Sequence, residues 1–123
     1  MSKILIVDDD LGMVRLLTTL FELDGHSVVG ISERESILPT ASAERPDLVI
    51  LDVFLGGEDS LELIGQMKQT PELSEIPIIV TSGMELSEKC KAAGCDAFIL
   101  KPFTPDQLTA AIDEHLGGRG EKA

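Results

Sequence analysis

Short aliphatic runs recur along this chain, each followed by a stretch with helical spacing. The runs are Ile4-Leu5-Ile6-Val7, His26 to Ile31, Leu48-Val49-Ile50-Leu51, Ile78 to Thr81 and Ala97 to Leu100. The first and third are rich in branched aliphatics and lack alternation, the pattern of parallel strands buried on both faces. After the first run, Met13, Leu16, Leu17, Leu20 and Phe21 recur at helical spacing, and Asp24-Gly25 supplies a stop. Residues 33–44 read as a weaker helix disturbed by Pro39, which has no amide proton for the ladder. A glycine-containing loop, Leu55 to Asp59, precedes a helix carrying Leu61, Ile64 and Met67, and Ser87 to Ala93 makes a short helix closed by Gly94. Thr104 is a good N-cap with Pro105 at the first helical position. Leu108, Ala111, Ile112 and Leu116 then form the last apolar face.

These are five βα units. Parallel strands need right-handed crossovers, and a five-stranded doubly wound sheet of order 2-1-3-4-5, with helices on both faces, is the simplest solution. Periodicity alone gives an α/β class; it does not order the strands. One domain is expected over 3–117, with 118–123 a flexible tail, and there is no internal repeat.

Charge narrows the function classes. Acids outnumber bases 22 to 10, a formal charge of −12, which argues against a broad surface for nucleic-acid phosphates. No stretch approaches the roughly 20 apolar residues of a membrane span, and the N-terminus lacks a signal peptide's apolar region, so a cytoplasmic location is expected. Cys90 and Cys95 lie five apart with no second pair and read as free thiols, buried or half-buried. His26 and His115 read as structural or exposed.

The chemistry concentrates at strand ends. Asp8 and Asp9 end the first run and Asp52 ends the third. If those strands are neighbours, the carboxylates meet at the C-terminal sheet edge, where open α/β folds bind ligands. Two unit charges about 4 Å apart repel by roughly 4 kcal/mol at an effective dielectric of about 20. Such a cluster calls for a cation, a proton or a phosphoryl chemistry that uses it. Ser82 follows the fourth strand, with Thr81 just before it, and Lys101 follows the fifth. Asp10 reads as a helix cap.

Four stretches in order, Ile4 to Asp10, Pro46 to Asp52, Pro77 to Gly83 and Lys101-Pro102-Phe103, resemble the receiver domain of two-component response regulators, a flavodoxin-like fold. The resemblance runs from Lys3 to about Leu116. It implies that Asp52 accepts a phosphoryl group from the phosphohistidine of a histidine kinase or histidine phosphotransfer protein. It further implies that Asp9, Asp52 and the backbone carbonyl of Phe54 bind Mg²⁺, with Asp8 acting through a metal-bound water. Lys101 would pair with Asp52 and then with phosphoryl oxygens, Ser82 would move onto a phosphoryl oxygen, and Phe98 matches the switch aromatic, though a core Phe would look identical. The implied role is a phosphoacceptor switch rather than an enzyme acting on a separate substrate, and it would signal to a downstream protein by contact. Independent chemistry agrees. Phosphoryl transfer needs an in-line oxygen nucleophile and positive charge on the equatorial oxygens, a carboxylate can be that nucleophile, and Mg²⁺ suits carboxylate, carbonyl and water ligands.

Where the family more often has a proline this chain has Gly56, and where it has a glycine this chain has Ser60. The pair Gly56-Gly57 is expected to loosen the loop beside the site. The segment from Ser82 to Lys101 is about one helical turn shorter than usual, which puts the face made by the fourth and fifth helices in question as an output surface. Phe54 is expected to screen an acyl phosphate from water. Three other readings compete: a receiver excised from a longer regulator or hybrid kinase, an aspartyl-phosphate phosphatase, and a flavin-binding electron carrier. Phosphatases of this kind place an acid where Phe54 stands, and three successive aspartates would repel a flavin phosphate.

Overall fold

The computed structural model describes residues 2–117, so the tail expected at 118–123 lies outside the described residues. The main sheet contains β1 Lys3–Val7, β2 Ser27–Ile31, β3 Leu48–Asp52, β4 Ile78–Ser82 and β5 Ala97–Leu100. Numbered within that sheet, the order is β2-β1-β3-β4-β5, with every neighbouring pair parallel. The crossovers carry α1 Leu11–Leu23, α2 Ile37–Glu44, α3 Leu61–Gln69 and α4 Ser87–Ala93, and α5 Pro105–Gly117 follows the last strand.

Strand alternation divides the core into two layers. Leu5, Val7, Val49, Leu51, Ile78 and Val80 pack with Ile37 and Ala41 of α2, Leu63, Ile64 and Met67 of α3 and Cys90 of α4. Their neighbours Ile4, Ile6, Leu48, Ile50 and Ile79 pack on the opposite face with Leu17 and Phe21 of α1 and Leu108, Ile112 and Leu116 of α5. Because both faces are covered, the central strands carry no polar alternation. One contact is tight enough to dictate its residue. A Cβ on Gly30 of β2 would lie 2.6 Å from a Val14 methyl carbon of α1.

Three local expectations change. The weak helix starts at Ile37, preceded by a 3₁₀ turn at Arg34–Ser36. Pro39 thus falls in the first helical turn, where amide protons have no intrahelical partner and its missing N–H costs little. Leu16, placed on the apolar face of α1, is 52% exposed, because Leu17 and Phe21 already point at the sheet and Leu16 lies roughly 100° around the helix from Leu17. The third change concerns the loop after β3, which is a β-hairpin rather than a loose segment. Phe54–Leu55 pairs antiparallel with Glu58–Asp59, and Gly56 and Gly57 at its tip have φ of 61° and 84°. A two-residue turn with both φ values positive is the type I′ geometry that matches strand twist. The glycines close the turn; they do not loosen it.

The expected caps are present. Asp10 accepts the Met13 amide at the start of α1 (3.1 Å). At the start of α5, Thr104 Oγ1 accepts the Gln107 amide (3.2 Å) and Gln107 Oε1 accepts the Thr104 amide (2.8 Å), a reciprocal capping box.

Candidate functional site

Register assembles the site. Val7 pairs with Leu51, so the next residues, Asp8 and Asp52, leave adjacent strands side by side; Asp52 pairs in turn with Thr81, and Ser82 with Leu100, just before Lys101. Asp8 and Asp52 continue the alternation of Ile4, Ile6, Leu48 and Ile50, which puts both carboxylates toward the α1/α5 side. Ser82 and Phe98 share the alternation of Val80, on the opposite side.

Oxygens of Asp8, Asp9 and Asp52 lie within 4.8 Å of one another. Asp8 and Asp52 are buried, at 4% and 7% exposure, while Asp9 is open to solvent. Lys101 Nζ donates to Asp8 Oδ2 (3.1 Å) and to Asp52 Oδ2 (3.3 Å). Two carboxylates therefore share one ammonium, and a third lies beside them without a cation of its own among the described residues. Burial, followed by the charge of Asp8, pushes the Asp52 carboxyl up to about 6, although Lys101 and the Phe54 amide (3.3 Å) pull the other way. Burial works against a charged Lys101, but the fields of Asp52 and Asp8 outweigh it and hold the ammonium above its ordinary value. An all-oxygen cluster with surplus negative charge fits a hard divalent cation such as Mg²⁺. It offers no nitrogen or sulfur to favour Zn²⁺ or copper.

The hairpin explains the place of Phe54. With Leu55 and Glu58 as the hydrogen-bonded pair next to a two-residue turn, Phe54 and Asp59 form the non-hydrogen-bonded pair. That leaves the backbone polar groups of Phe54 outside the ribbon's ladder, and its amide faces the Asp52 carboxylate. The Phe54 ring is half-buried against the α2–α4 core layer. Ser82 is fully buried; its Oγ accepts the Met84 amide (3.0 Å), and its carbonyl accepts the Lys101 amide (2.7 Å). Phe98 is half-buried against the same layer as Phe54.

Two contacts were not anticipated from the sequence. Ser60 is fully buried, and its hydroxyl lies within hydrogen-bonding distance of the carbonyls of Val53 (2.9 Å) and Asp52 (3.2 Å). The Gly56 amide donates to Asp9 Oδ2 (3.0 Å). The signal was available at both positions, since each departs from the family's usual residue. Outside the site, burial pushes the Cys90 thiol up to about 11, away from reactive thiolate chemistry, and also raises Cys95. His115 Nδ1 lies 2.9 Å from the Ala111 carbonyl of its own helix. Among the described residues, no helix is long and apolar enough to cross a membrane.

Comparison with known proteins agrees with this architecture. The response regulator receiver domain family matches residues 4–113. Sporulation initiation phosphotransferase F of Bacillus subtilis is 32% identical over 116 residues, covering 94% of each chain. The alkaline phosphatase synthesis transcriptional regulatory protein PhoP of the same organism is 33% identical over 112 residues; the chain spans about half of that longer relative, 47%. A solved CheY-like receiver domain protein from Methanospirillum hungatei superposes with a TM-score of 0.87 at 28% identity, over 100% of this chain and 99% of that one.

Proposed function

Since the chain belongs to the response regulator receiver family of two-component signalling, we propose that Asp52 is its phosphoacceptor and that Asp9, Asp52 and the Phe54 carbonyl hold Mg²⁺, with Asp8 acting through a bound water. The observation that carries this reading is the sharing of Lys101 by Asp8 and Asp52 within a cluster of three carboxylates. Bound Mg²⁺ supplies positive charge to the transferring phosphoryl oxygens and offsets the surplus carboxylate charge.

The residues of the chain do the rest. An Asp52 oxygen attacks phosphorus in line with the P–N bond of a partner's phosphohistidine. The new O–P bond forms as the P–N bond breaks, and the imidazole leaves with the electron pair and takes up a proton. Lys101, held between Asp8 and Asp52, neutralises charge on the phosphoryl oxygens as they arrive. Ser82 Oγ, which accepts the Met84 amide, moves to donate its hydroxyl proton to a phosphoryl oxygen, and Phe98, on the same side of the sheet, follows that shift. Phosphorylation thereby biases a two-state equilibrium of a distal face, which a downstream protein reads by contact. The phosphodonor is a histidine kinase or histidine phosphotransfer protein, and the switch works in the cytoplasm.

Incubation with Mg²⁺ and a small phosphodonor tests the assignment. Intact mass should show one phosphoryl adduct that is absent in Asp52→Asn and absent without divalent cation. An adduct that survives Asp52→Asn refutes it.

A further inference from the structure

The carboxylate of Asp9 is the exposed member of the cluster, and solvent gives it no fixed direction. What orients it is the backbone amide of Gly56, 3.0 Å from Asp9 Oδ2 and 47 residues away in the chain. That amide is itself held at the tip of a ribbon closed at three levels. The Gly56-Gly57 turn forms the tip, the pairs Leu55–Glu58 and Phe54–Asp59 follow, and at the base the Ser60 amide donates to the Val53 carbonyl (2.7 Å). One outside tie completes it. Arg34 Nη2 donates to the Asp59 carbonyl (3.3 Å), while Arg34 Nε is buried without a hydrogen-bond partner. Arg34, Asp9 and Gly56 line one cleft of about 630 Å³. The same ribbon carries Phe54, so its geometry governs two of the groups assigned to the cation.

We propose that Gly56 is a positioning residue for the cation site: its amide, set by the type I′ turn and tied down through Arg34, orients the Asp9 carboxylate and so sets the affinity for Mg²⁺. The inference rests on the Mg²⁺ reading given above. It follows by linkage that Mg²⁺ binding and the conformation of the ribbon report on each other.

The structure supplies a clean perturbation. A Cβ at Gly56 would meet nothing within 4 Å, so a side chain there acts only through the positive φ of 61°. Alanine disfavours that φ, whereas asparagine tolerates it and Asn-Gly is a preferred type I′ pair. Gly25 has a φ of 96°, also with open space around it, at the far end of α1. Mg²⁺ titrations by calorimetry, with the Gly56 amide followed by ¹⁵N NMR, should separate the three variants. Gly56→Ala should bind Mg²⁺ about five- to tenfold more weakly, and Gly56→Asn should bind within about twofold of the parent. Gly25→Ala should lower stability without changing the affinity. In the parent, Mg²⁺ should shift the Gly56 resonance, and Asp9→Ala, which removes the acceptor, should abolish its protection from hydrogen exchange. Unchanged affinity in Gly56→Ala, with normal binding by the parent, overturns the positioning role alone. Absence of Mg²⁺ binding by the parent overturns the cation reading and this inference together.

Discussion

The two edges of the central sheet use the same residue types for different ends. At the N-terminal edge each acid has its own donors. Asp47 accepts the Lys3 amide (2.8 Å), Lys3 Nζ pairs with Glu44 (2.9 Å), and Asp96 Oδ2 accepts both the Ile78 amide (2.8 Å) and Lys68 Nζ (3.0 Å). At the C-terminal edge Asp8 and Asp52 share Lys101, and Asp9 beside them has a backbone amide but no cation among the described residues. The first arrangement staples strand starts to neighbouring elements. The second leaves negative charge in surplus, and that surplus, rather than the presence of acids, is what distinguishes the proposed cation site.

Removing Lys101 should have the largest effect. Lys101→Ala leaves two buried carboxylates without a counter-charge, and phosphoryl uptake from a small donor should fall about 100-fold, with stability down by roughly 2 kcal/mol. Equal uptake rates in the variant and the parent would contradict its role. Next is the cation itself. At about 100 times its dissociation constant, Mg²⁺ should add about 2.7 kcal/mol to unfolding stability. That gain should be lost in Asp9→Asn and kept in Asp96→Ala. A gain that persists in Asp9→Asn would place the ion elsewhere.

A sharper contrast lies in the sign of acid removal. The Asp52 carboxyl is raised from 3.8 to about 6 in the folded state, so the folded protein holds that proton more tightly than the unfolded chain does. Its contribution is full below about pH 4 and is lost as pH rises through 6. Without divalent cation, Asp52→Asn should therefore be more stable than the parent at pH 7.5 by about 1–2 kcal/mol, and the difference should vanish near pH 4. Asp96→Ala should instead lose roughly 1–3 kcal/mol, because the Ile78 amide and Lys68 lose their acceptor. Denaturant titrations at both pH values decide this, and the same sign for both variants would erase the distinction between the two edges. The smallest effect concerns Phe54. Replacing its half-buried ring by Asn should shorten the acyl-phosphate lifetime a few-fold, about 1 kcal/mol of barrier; an unchanged or longer lifetime rules out shielding by the ring.

Much of this was legible in the chain because it is locally encoded. The unalternating runs at Ile4–Val7 and Leu48–Leu51, the cap at Thr104-Pro105 and the stop at Asp24-Gly25 act through neighbours within one turn or one strand, and each lies where its pattern placed it. Asp8, Asp9, Asp52 and Lys101 were legible because acids or a base closing an aliphatic strand have few other uses. Leu16 was misplaced because a helical period identifies a stripe of the helix but not how wide a sheet it meets. The Gly56-Gly57 tip was misjudged because freedom of φ serves a loose loop and a tight type I′ turn equally. Only pairing of Phe54–Leu55 with Glu58–Asp59 distinguishes them.

By itself, then, the sequence determined the α/β class, the strands, and the identity of the charged groups at their ends, since these depend on periodicity and side-chain chemistry. Tertiary structure alone decided that one ammonium serves two carboxylates, that Ser60 secures the carbonyls behind Asp52, and that the Gly56 amide aims Asp9. Those contacts join residues far apart along the chain or depend on the exact hairpin pairing, and their free energy arises only when register and packing bring donors and acceptors to hydrogen-bonding distance.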